Sequence, residues 1–326
     1  MTTDNINQLL HHLKLDGMYY SRTTMGSTKW GIDLPPFAHT SMFHIVTSGQ
    51  CHVLINGQQT QLSAGDLVFI SRACGHQLVA RPDNACTGLF ELPIQQVSEH
   101  YETIEVDAST EPVTRMLCGV VRISHPAGER LINDMPDMIH IKRDDHLFGD
   151  MLGELVRLVI TEASGNYLGG ETVITRLADV LVIQAIRTWV EQQGEAGGRW
   201  LNAIKDEHIG RALGQLHAHP EKAWTIEKLG RATGMSRTAL ANRFTQLVGQ
   251  TVFAYLTEWR MNLAVMAIQS GERVNADFVL RLGYQSEAAF RRAFKKTMGF
   301  NVSAVKAHLT EQSEPHNTAK HVPDMG

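Results

Sequence analysis

The chain has 326 residues and a mass of 36.3 kDa, with 43% apolar residues, 20% charged residues and a mean hydropathy of −0.16, as expected of a globular protein with about two domains. No apolar run reaches the ~18 residues of a membrane span, and the start of the chain lacks the basic and apolar regions of a secretory signal. Its four cysteines have no CxxC spacing, which argues against a zinc knuckle or a disulfide scaffold. We therefore expect a cytoplasmic protein without a membrane partner.

The net charge of −4 conceals an uneven distribution along the chain. Residues 222–309 hold 13 Lys and Arg against 5 Asp and Glu, a net charge of +8, so the remaining residues carry −12. A basic segment attached to an acidic body is expected of a nucleic-acid-binding module joined to another domain. A solvated helical surface would have the same charge, so the charge alone leaves both interpretations open.

Residues 1 to about 125 have the pattern of β-structure, in which short apolar runs alternate with turn residues. Asn56-Gly57 predicts a tight hairpin, because both residues tolerate a positive φ. In the run 50–55, alternation directs His52 to the face opposite Cys51 and Val53. Several short strands at this spacing predict a sandwich or a barrel.

Residues from about 146 to 193 change to the helical period. Leucine and valine side chains recur every three or four positions on two predicted helices, which a loop with Gly165, Gly169 and Gly170 connects. The glycines at 194, 197 and 198 predict a flexible linker. The polar tail at 311–326 is predicted to be disordered.

The basic zone contains an internal repeat with a spacing of 50 residues. Ser236, Leu240, Phe244 and Gly249 are matched by Ser286, Phe290, Phe294 and Gly299. Each serine is placed to cap a helix, the apolar residues share one helix face, and the glycine suits the helix exit. A shorter amphipathic stretch and a glycine turn precede each serine. Two helix-turn-helix units are therefore predicted, joined by a helix over 253–268 with a buried stripe that comprises Tyr255, Leu256, Trp259, Leu263 and Met266.

The motifs at 235–244, 255–264 and 283–296 resemble the AraC/XylS family of bacterial transcription regulators. In that family one chain reads two successive major grooves of double-stranded DNA. The resemblance implies groove-facing positions at Arg237, Thr238, Ala241, Asn242, Glu287, Ala288, Arg291 and Arg292, and phosphate contacts at Arg243, Lys295 and Lys296. The family usually has proline where this chain has Val252 and Val302, and a buried aliphatic residue where it has Asn275, so that helix is expected to start later or to pack less well.

The segment 43–76 resembles the cupin-type sensor domain of one branch of that family, and 176–190 resembles helices that serve homodimerisation there. The resemblance implies a small β-barrel that can hold a ligand in its mouth. Some members of this branch respond to oxidants, and the positive charges of Arg72 and His76 would favour a thiolate at Cys74. The candidate ligand-binding or redox-sensing residues are His39, His44, Cys51, His52, Cys74 and His76. The alternative for each cysteine is a small buried apolar side chain.

The predicted fold is an α+β multidomain chain with a cupin-like β-barrel over 1–145, a helical dimerisation and linker segment over 146–200, an all-α domain with two helix-turn-helix units over 201–310, and the tail. The predicted function is a sequence-specific transcription regulator with a small-molecule or oxidant signal. The sequence leaves activation and repression open, and RNA polymerase is a further partner if the protein is an activator. No catalysis and no obligatory cofactor are expected, and any metal would bind to the histidines of the barrel. The alternatives are a metal-dependent cupin enzyme with a helical interaction tail, which the absence of a glutamate before Glu91 disfavours, and an architectural DNA-binding protein with an inert barrel.

Overall fold

The computed structural model describes residues 15–72, 74–123, 125–143, 149–165, 167–192 and 198–305. The predicted linker glycines at 194 and 197, the predicted boundary at 145 and the predicted disordered tail lie outside these residues. The chain divides into two compact units, one ending at Gly198 and one beginning at Arg199. They are called the N-terminal and C-terminal units below, and each is described by itself.

The N-terminal unit is built on two β-sheets. Its strands are β1 (Leu15–Gly26), β2 (Gly31–Leu34), β3 (Thr40–Ser48), β4 (Gln50–Ile55), β5 (Gln58–Ser63), β6 (Leu67–Ile70), β7 (His76–Val79), β8 (Thr87–Gly88), β9 (Ile94–Ser98), β10 (Tyr101–Val106), β11 (Val113–Ile123) and β12 (Met138–Ile141). The seven-stranded sheet has the order β12-β6-β3-β11-β1-β10-β9, and the five-stranded sheet has the order β5-β4-β7-β2-β8. The described strands thus form two sheets rather than one closed barrel, and the predicted cupin-like β-fold is confirmed in this form.

The hairpin predicted at Asn56-Gly57 joins β4 to β5. Both residues have a positive φ, 48° and 76°, which matches the twist of the paired strands. The alternation predicted for β4 is also confirmed, because Cys51 and Val53 are fully buried whereas His52 is half-buried.

The core of the N-terminal unit lies between the two sheets. Side chains from β3, such as Met42 and Val46, meet side chains from β2, β4 and β7, including Ile32, Val53 and Leu78. Burial of this apolar area from both sheets supplies the main driving force for folding of the unit.

The described residues of the N-terminal unit also form the α-helices α1 (Pro126–Asp134), α2 (Gly149–Ser164) and α3 (Gly170–Gln192). Helix α3 contacts β1, where the Tyr20 hydroxyl donates a hydrogen bond of 3.0 Å to Asp179. Leu181 and Ile186 of α3 are fully buried. The helical period of the sequence groups Val180 with these two residues, but Val180 is 41% exposed and faces away from this core.

The C-terminal unit is helical, as predicted. Its helices are α4 (Arg199–Lys205), α5 (Glu207–Ala218), α6 (Ile226–Thr233), α7 (Arg237–Val248), α8 (Val252–Gln269), α9 (Ala276–Arg281) and α10 (Glu287–Met298), followed by a 3-10 turn over Val302–Ala304. Among all the described helices of the chain, none has the length and apolar character needed to cross a membrane.

The buried stripe of the connecting helix α8 differs from the prediction in its second half. Tyr255, Leu256 and Trp259 are buried as expected. Leu263 and Met266 are only half-buried, and Met261, Ala264 and Ile268 are buried instead. The reason is that the second half of α8 packs against the aromatic core around Phe290 and Phe294, which lies to another side of the helix.

Candidate nucleic-acid interface

The first helix-turn-helix unit consists of α6 and α7, and local hydrogen bonds fix both ends of the turn. The Ser236 hydroxyl accepts a hydrogen bond from the backbone N–H of Ala239 (3.3 Å) and caps α7. Gly234 closes α6 with a φ of 72°, a conformation that favours glycine. Leu240 and Phe244 are fully buried, so the opposite face of α7 is directed to solvent.

The second unit consists of α9 and α10 and repeats this design. The Ser286 hydroxyl caps α10 by accepting from the N–H of Ala289 (3.3 Å), and Gly283 takes the turn with a φ of 78°. Asn275 caps α9, because its side-chain oxygen accepts from the N–H of Phe278 at 2.9 Å. The helix starts just after Asn275, at the position that corresponds to the start of α6 in the first unit, and the exposed Asn275 side chain has a capping role.

Valine stands at positions 252 and 302, where the family usually has proline, and a helical segment still begins at each position. Helix α8 still begins at Val252, since the Thr251 hydroxyl caps it by accepting from the N–H of Ala254 at 3.3 Å. Val302 begins the final 3-10 turn and is buried. The exit glycines, Gly249 and Gly299, both take the left-handed conformation.

The second helix of each unit presents most of the predicted DNA-binding residues to solvent. Ala241 and Glu287 are half-buried, and the other nine are exposed: Arg237, Thr238, Asn242, Arg243, Ala288, Arg291, Arg292, Lys295 and Lys296. Lys295 and Lys296 lie in the last turn of α10, where their charges also interact favourably with the helix dipole. Each helix thus offers a polar and predominantly basic surface beside its turn.

Two of these arginines form exposed ion pairs. Arg237 contacts Glu227 of α6 at 3.2 Å, and Arg291 contacts Glu287 one turn earlier on α10 at 3.6 Å. Exposed pairs of this kind contribute about 0–1 kcal/mol to stability, so a competing partner can replace them at little cost. Arg292 has no ion-pair or hydrogen-bond partner among the described residues.

Arg243 has a different environment, because its guanidinium donates to Asp206 through Nε (2.8 Å) and through Nη2. Asp206 caps α5 by accepting from the N–H groups of His208 and Ile209. The Arg243 side chain and these N–H groups hold the pKa of Asp206 below its ordinary value, and Asp206 raises the pKa of Arg243. Arg243 therefore connects α7 to the start of α5.

Arg260 on α8 has a structural role that the sequence does not predict. Its Nε donates to the carbonyl oxygen of Pro220 (2.7 Å), its Nη2 donates to that of Lys222 (3.0 Å), and its guanidinium lies 5.6 Å from the ring centre of Tyr284. A side chain on Gly283 would collide with this guanidinium, 2.5 Å away. Arg260 thus holds the turn of the second helix-turn-helix unit against the loop that precedes the first unit. The sequence shows an arginine in a helix but not the distant carbonyl groups that receive it.

The histidines proposed for sensing separate into one pair and two isolated side chains. His44 on β3 and His76 on β7 are buried, with their Nε2 atoms 2.7 Å apart. His39 is exposed in a turn, and His52 is half-buried on β4. In the described part of the chain, no three His, Cys, Asp or Glu side chains gather as metal ligands. Within the described residues, the histidines of the predicted barrel therefore do not form a metal site with three ligands.

The expected activation of Cys74 as a thiolate is not supported by its surroundings. Burial raises the pKa of the Cys74 thiol, and Asp137 adds to this rise, while Arg72 opposes it. Burial lowers the pKa of His76 to about 4, so this ring is neutral at pH 7 and supplies no positive charge. Burial also raises the pKa of Cys51 to about 12. The described thiols therefore favour the protonated form.

Two protein families match different parts of the chain. The family described as "Cupin" matches residues 4–191, more than half of the chain, and the family described as "Helix-turn-helix domain" matches residues 229–308. The first match contains both sheets. The second contains α7 to α10 and the end of α6.

Curated relatives match over most of their length. The HTH-type transcriptional regulator AlkR of Acinetobacter baylyi is 28% identical over 78% of this chain and 83% of its own. A putative AraC-like transcription regulator of Streptomyces antibioticus is 26% identical over 89% of this chain and 94% of its own. The RCS-specific HTH-type transcriptional activator RclR of Escherichia coli is 24% identical over 57% of this chain and 65% of its own. Along the chain, a cupin domain is followed by two capped helix-turn-helix units. The chain therefore belongs to the AraC-type transcriptional regulators with an N-terminal cupin domain.

Proposed function

We propose that this regulator reads two successive major grooves of double-stranded DNA with α7 and α10, and that a small molecule bound in its cupin domain controls this binding. The observation that carries the proposal is the duplicated, capped helix-turn-helix, in which both second helices expose basic and polar side chains. A signal would act by shifting an equilibrium between arrangements of the protein that exist already.

Within this surface we assign base contacts and phosphate contacts to different residues. Arg237, Asn242 and Arg292 are exposed and suit hydrogen bonding to base edges, together with Thr238, Ala241, Glu287, Ala288 and Arg291. Lys295 and Lys296 are suited to phosphates, which position a protein without reading sequence. Arg243 changes its role in this proposal, because its contact with Asp206 supports a structural function better than a phosphate contact.

A second copy of the chain is the proposed partner of α2 and α3. Leu158 on α2 and Val173 and Val180 on α3 are 41–48% exposed, and Tyr167 and Leu168 between the helices are more exposed still. A group of exposed apolar side chains on neighbouring helices is typical of an association surface. A homodimer would bring together two pairs of helix-turn-helix units and increase binding to DNA through multivalency.

We propose transcriptional activation, and therefore contact with RNA polymerase, because the relative RclR is named as an activator. A DNA partner also implies that the protein works in the cytoplasm, where bacterial DNA is located. The proposal needs no catalytic step. A metal-dependent cupin enzyme is not favoured, because the histidines of the described residues do not converge on one point.

The test is genome-wide capture of DNA with the purified chain, repeated after mild oxidation and after treatment with a chelator. We expect enrichment of sites with two short sequence boxes about one helical turn apart. Oxidation and chelation are expected to leave occupancy unchanged, in line with the protonated thiols. Absence of enrichment under every condition would contradict the proposed groove reading, and a change after oxidation would return the cysteines to the signal site.

A further inference from the structure

A row of polar side chains crosses the seven-stranded sheet of the N-terminal unit. His44 on β3 is paired with Cys118 on β11, Cys118 is paired with Ser21 on β1, and Ser21 is paired with Glu102 on β10. Directly paired residues in a sheet point to the same face. The four side chains therefore lie side by side on one face of the sheet.

This row lies in the wall of a pocket of about 360 Å³, a volume that includes its open mouth. The remaining wall is mainly apolar, with Leu34, Phe37, Met42, Leu89 and Val120. A concave site with apolar walls and a few polar groups is the usual form of a small-ligand site. The polar groups then decide which ligands the pocket accepts.

Glu102 is the acidic group of the pocket, and no described residue provides it with an ion pair or a hydrogen bond. Its side chain is half-buried, and burial raises the pKa of its carboxyl group above the ordinary value. A carboxylate that is partly removed from water without a counter-charge is unfavourable, and a cationic group beside it would relieve this cost. An anionic ligand would be repelled.

His44 offers a second hydrogen-bond acceptor. The Nδ1 of His76 lies 3.1 Å from the carbonyl oxygen of Cys74 and must donate to it, so the Nε2 of the neutral His76 ring accepts. The Nε2 of His44 therefore donates to His76. Because burial also keeps His44 neutral, its Nδ1 carries a free lone pair, and this buried atom has no partner among the described residues.

We infer that this pocket binds a small organic cation, a primary amine or an amidine on an apolar body, with its charged group at Glu102. The inference rests on the proposed ligand control and gives the chemical class of the ligand. The Glu102 carboxylate requires a cationic donor, which an ammonium or amidinium group provides, and the His44 nitrogen, three strands away in the sheet, can accept a hydrogen bond from a separate donor of the ligand. The apolar walls favour a hydrocarbon body over a sugar, whose hydroxyl groups would lose their hydrogen bonds to water there.

The test compares benzylamine with benzyl alcohol, which has the same ring without the charge, by isothermal titration calorimetry on the full-length chain. Benzylamine is expected to bind saturably, and benzyl alcohol at least about tenfold more weakly. Glu102→Gln should weaken benzylamine binding by about tenfold or more. Glu105→Gln removes the same charge from an exposed position on the same strand and should bind benzylamine like the parent. No saturable binding to the parent, equal binding of the alcohol, or unchanged binding in the Glu102 variant would overturn the inference.

A separate measurement of DNA binding by the parent chain, made without any amine, shows whether a failure concerns this inference or the proposed function. Retained DNA binding together with no amine binding would overturn the inference alone, and loss of DNA binding would contradict the proposed function. If benzylamine binds and alters DNA occupancy, the pocket is a signal site. If benzylamine binds without altering DNA occupancy, the claim that this pocket is the site of ligand control is overturned.

Discussion

At the residue scale, Arg292 and Lys296 show how two neighbouring basic side chains are expected to act differently on DNA. Both are exposed on α10, one turn apart. Arg292→Ala should cost about 1–3 kcal/mol of binding free energy and relax base preference at one position, because a guanidinium that reads guanine is lost. Selection of bound sequences from a random pool would measure both quantities.

Lys296→Ala is the matched comparison, because it removes the same charge from the same helix. It should weaken binding to all sequences alike and reduce the slope of log affinity against log salt by about 1, as expected for one phosphate contact. An unchanged slope would remove Lys296 from the phosphate contacts. Unchanged base preference in the Arg292 variant would remove Arg292 from base reading.

The cysteines permit a second prediction at this scale. Burial raises the pKa of both Cys51 and Cys118 to about 12, so the thiolate fraction near neutral pH is smaller than for an ordinary thiol. Alkylation by iodoacetamide at about pH 8, followed by mass spectrometry of each cysteine, should be at least about 100-fold slower in the native chain than in urea. Alkylation at the unfolded rate would show that these thiols are accessible and ionised.

At the scale of the elements, α8 both connects the two helix-turn-helix units and holds them through Arg260. The contacts of Arg260 with Pro220, Lys222 and Tyr284 fix the second turn against the loop before α6. Arg260→Ala should therefore leave each unit able to bind its own box but reduce the preference for one distance between the boxes. The measured quantity is the ratio of affinities for the natural site and a site with two extra base pairs.

In the Arg260→Ala variant we expect this ratio to fall by about threefold or more, because the relative placement of the two recognition helices sets the spacing of the boxes. Arg260→Lys should recover only part of the preference, since one ammonium group does not reproduce the two-directional donation of a guanidinium. If both variants weaken binding to the two sites equally, Arg260 has only a stabilising role.

The elements also show how far the sequence was sufficient. Local signals were reliable: the serine caps, the exit glycines and the Asn56-Gly57 hairpin all depend on residues within a few positions of one another. The parallel pairing of β1 with β10, the contact between His44 and His76, and the attachment of Arg260 to Pro220 join positions far apart in sequence. Periodicity carries no information about such partners, which tertiary packing selects.

At the scale of the whole molecule, an exposed apolar group on α2 and α3 predicts how copies of the chain associate. Val180→Glu places a charge within this group and should weaken the dimer by about tenfold or more, since an unpaired charge would be buried at the interface. Sedimentation equilibrium measures the effect. Thr172→Glu, at an exposed polar position of the same helix, is the control and should dimerise like the parent. A parent chain that stays monomeric would contradict the prediction.

The buried pair of His44 and His76 makes the N-terminal unit sensitive to mild acid. Unfolding frees both rings to take up protons near their ordinary pKa of about 6.5, whereas in the folded unit burial lowers the pKa of His76 to about 4 and also lowers that of His44. Stability from these rings is therefore complete above about pH 6.5 and is lost as the pH falls toward 4. At about pH 5, His76 alone should remove about 2 kcal/mol, which urea unfolding of the parent and of His76→Asn would reveal. A regulator built on this pair keeps the full stability of its cupin domain only while the pH around it stays near neutral.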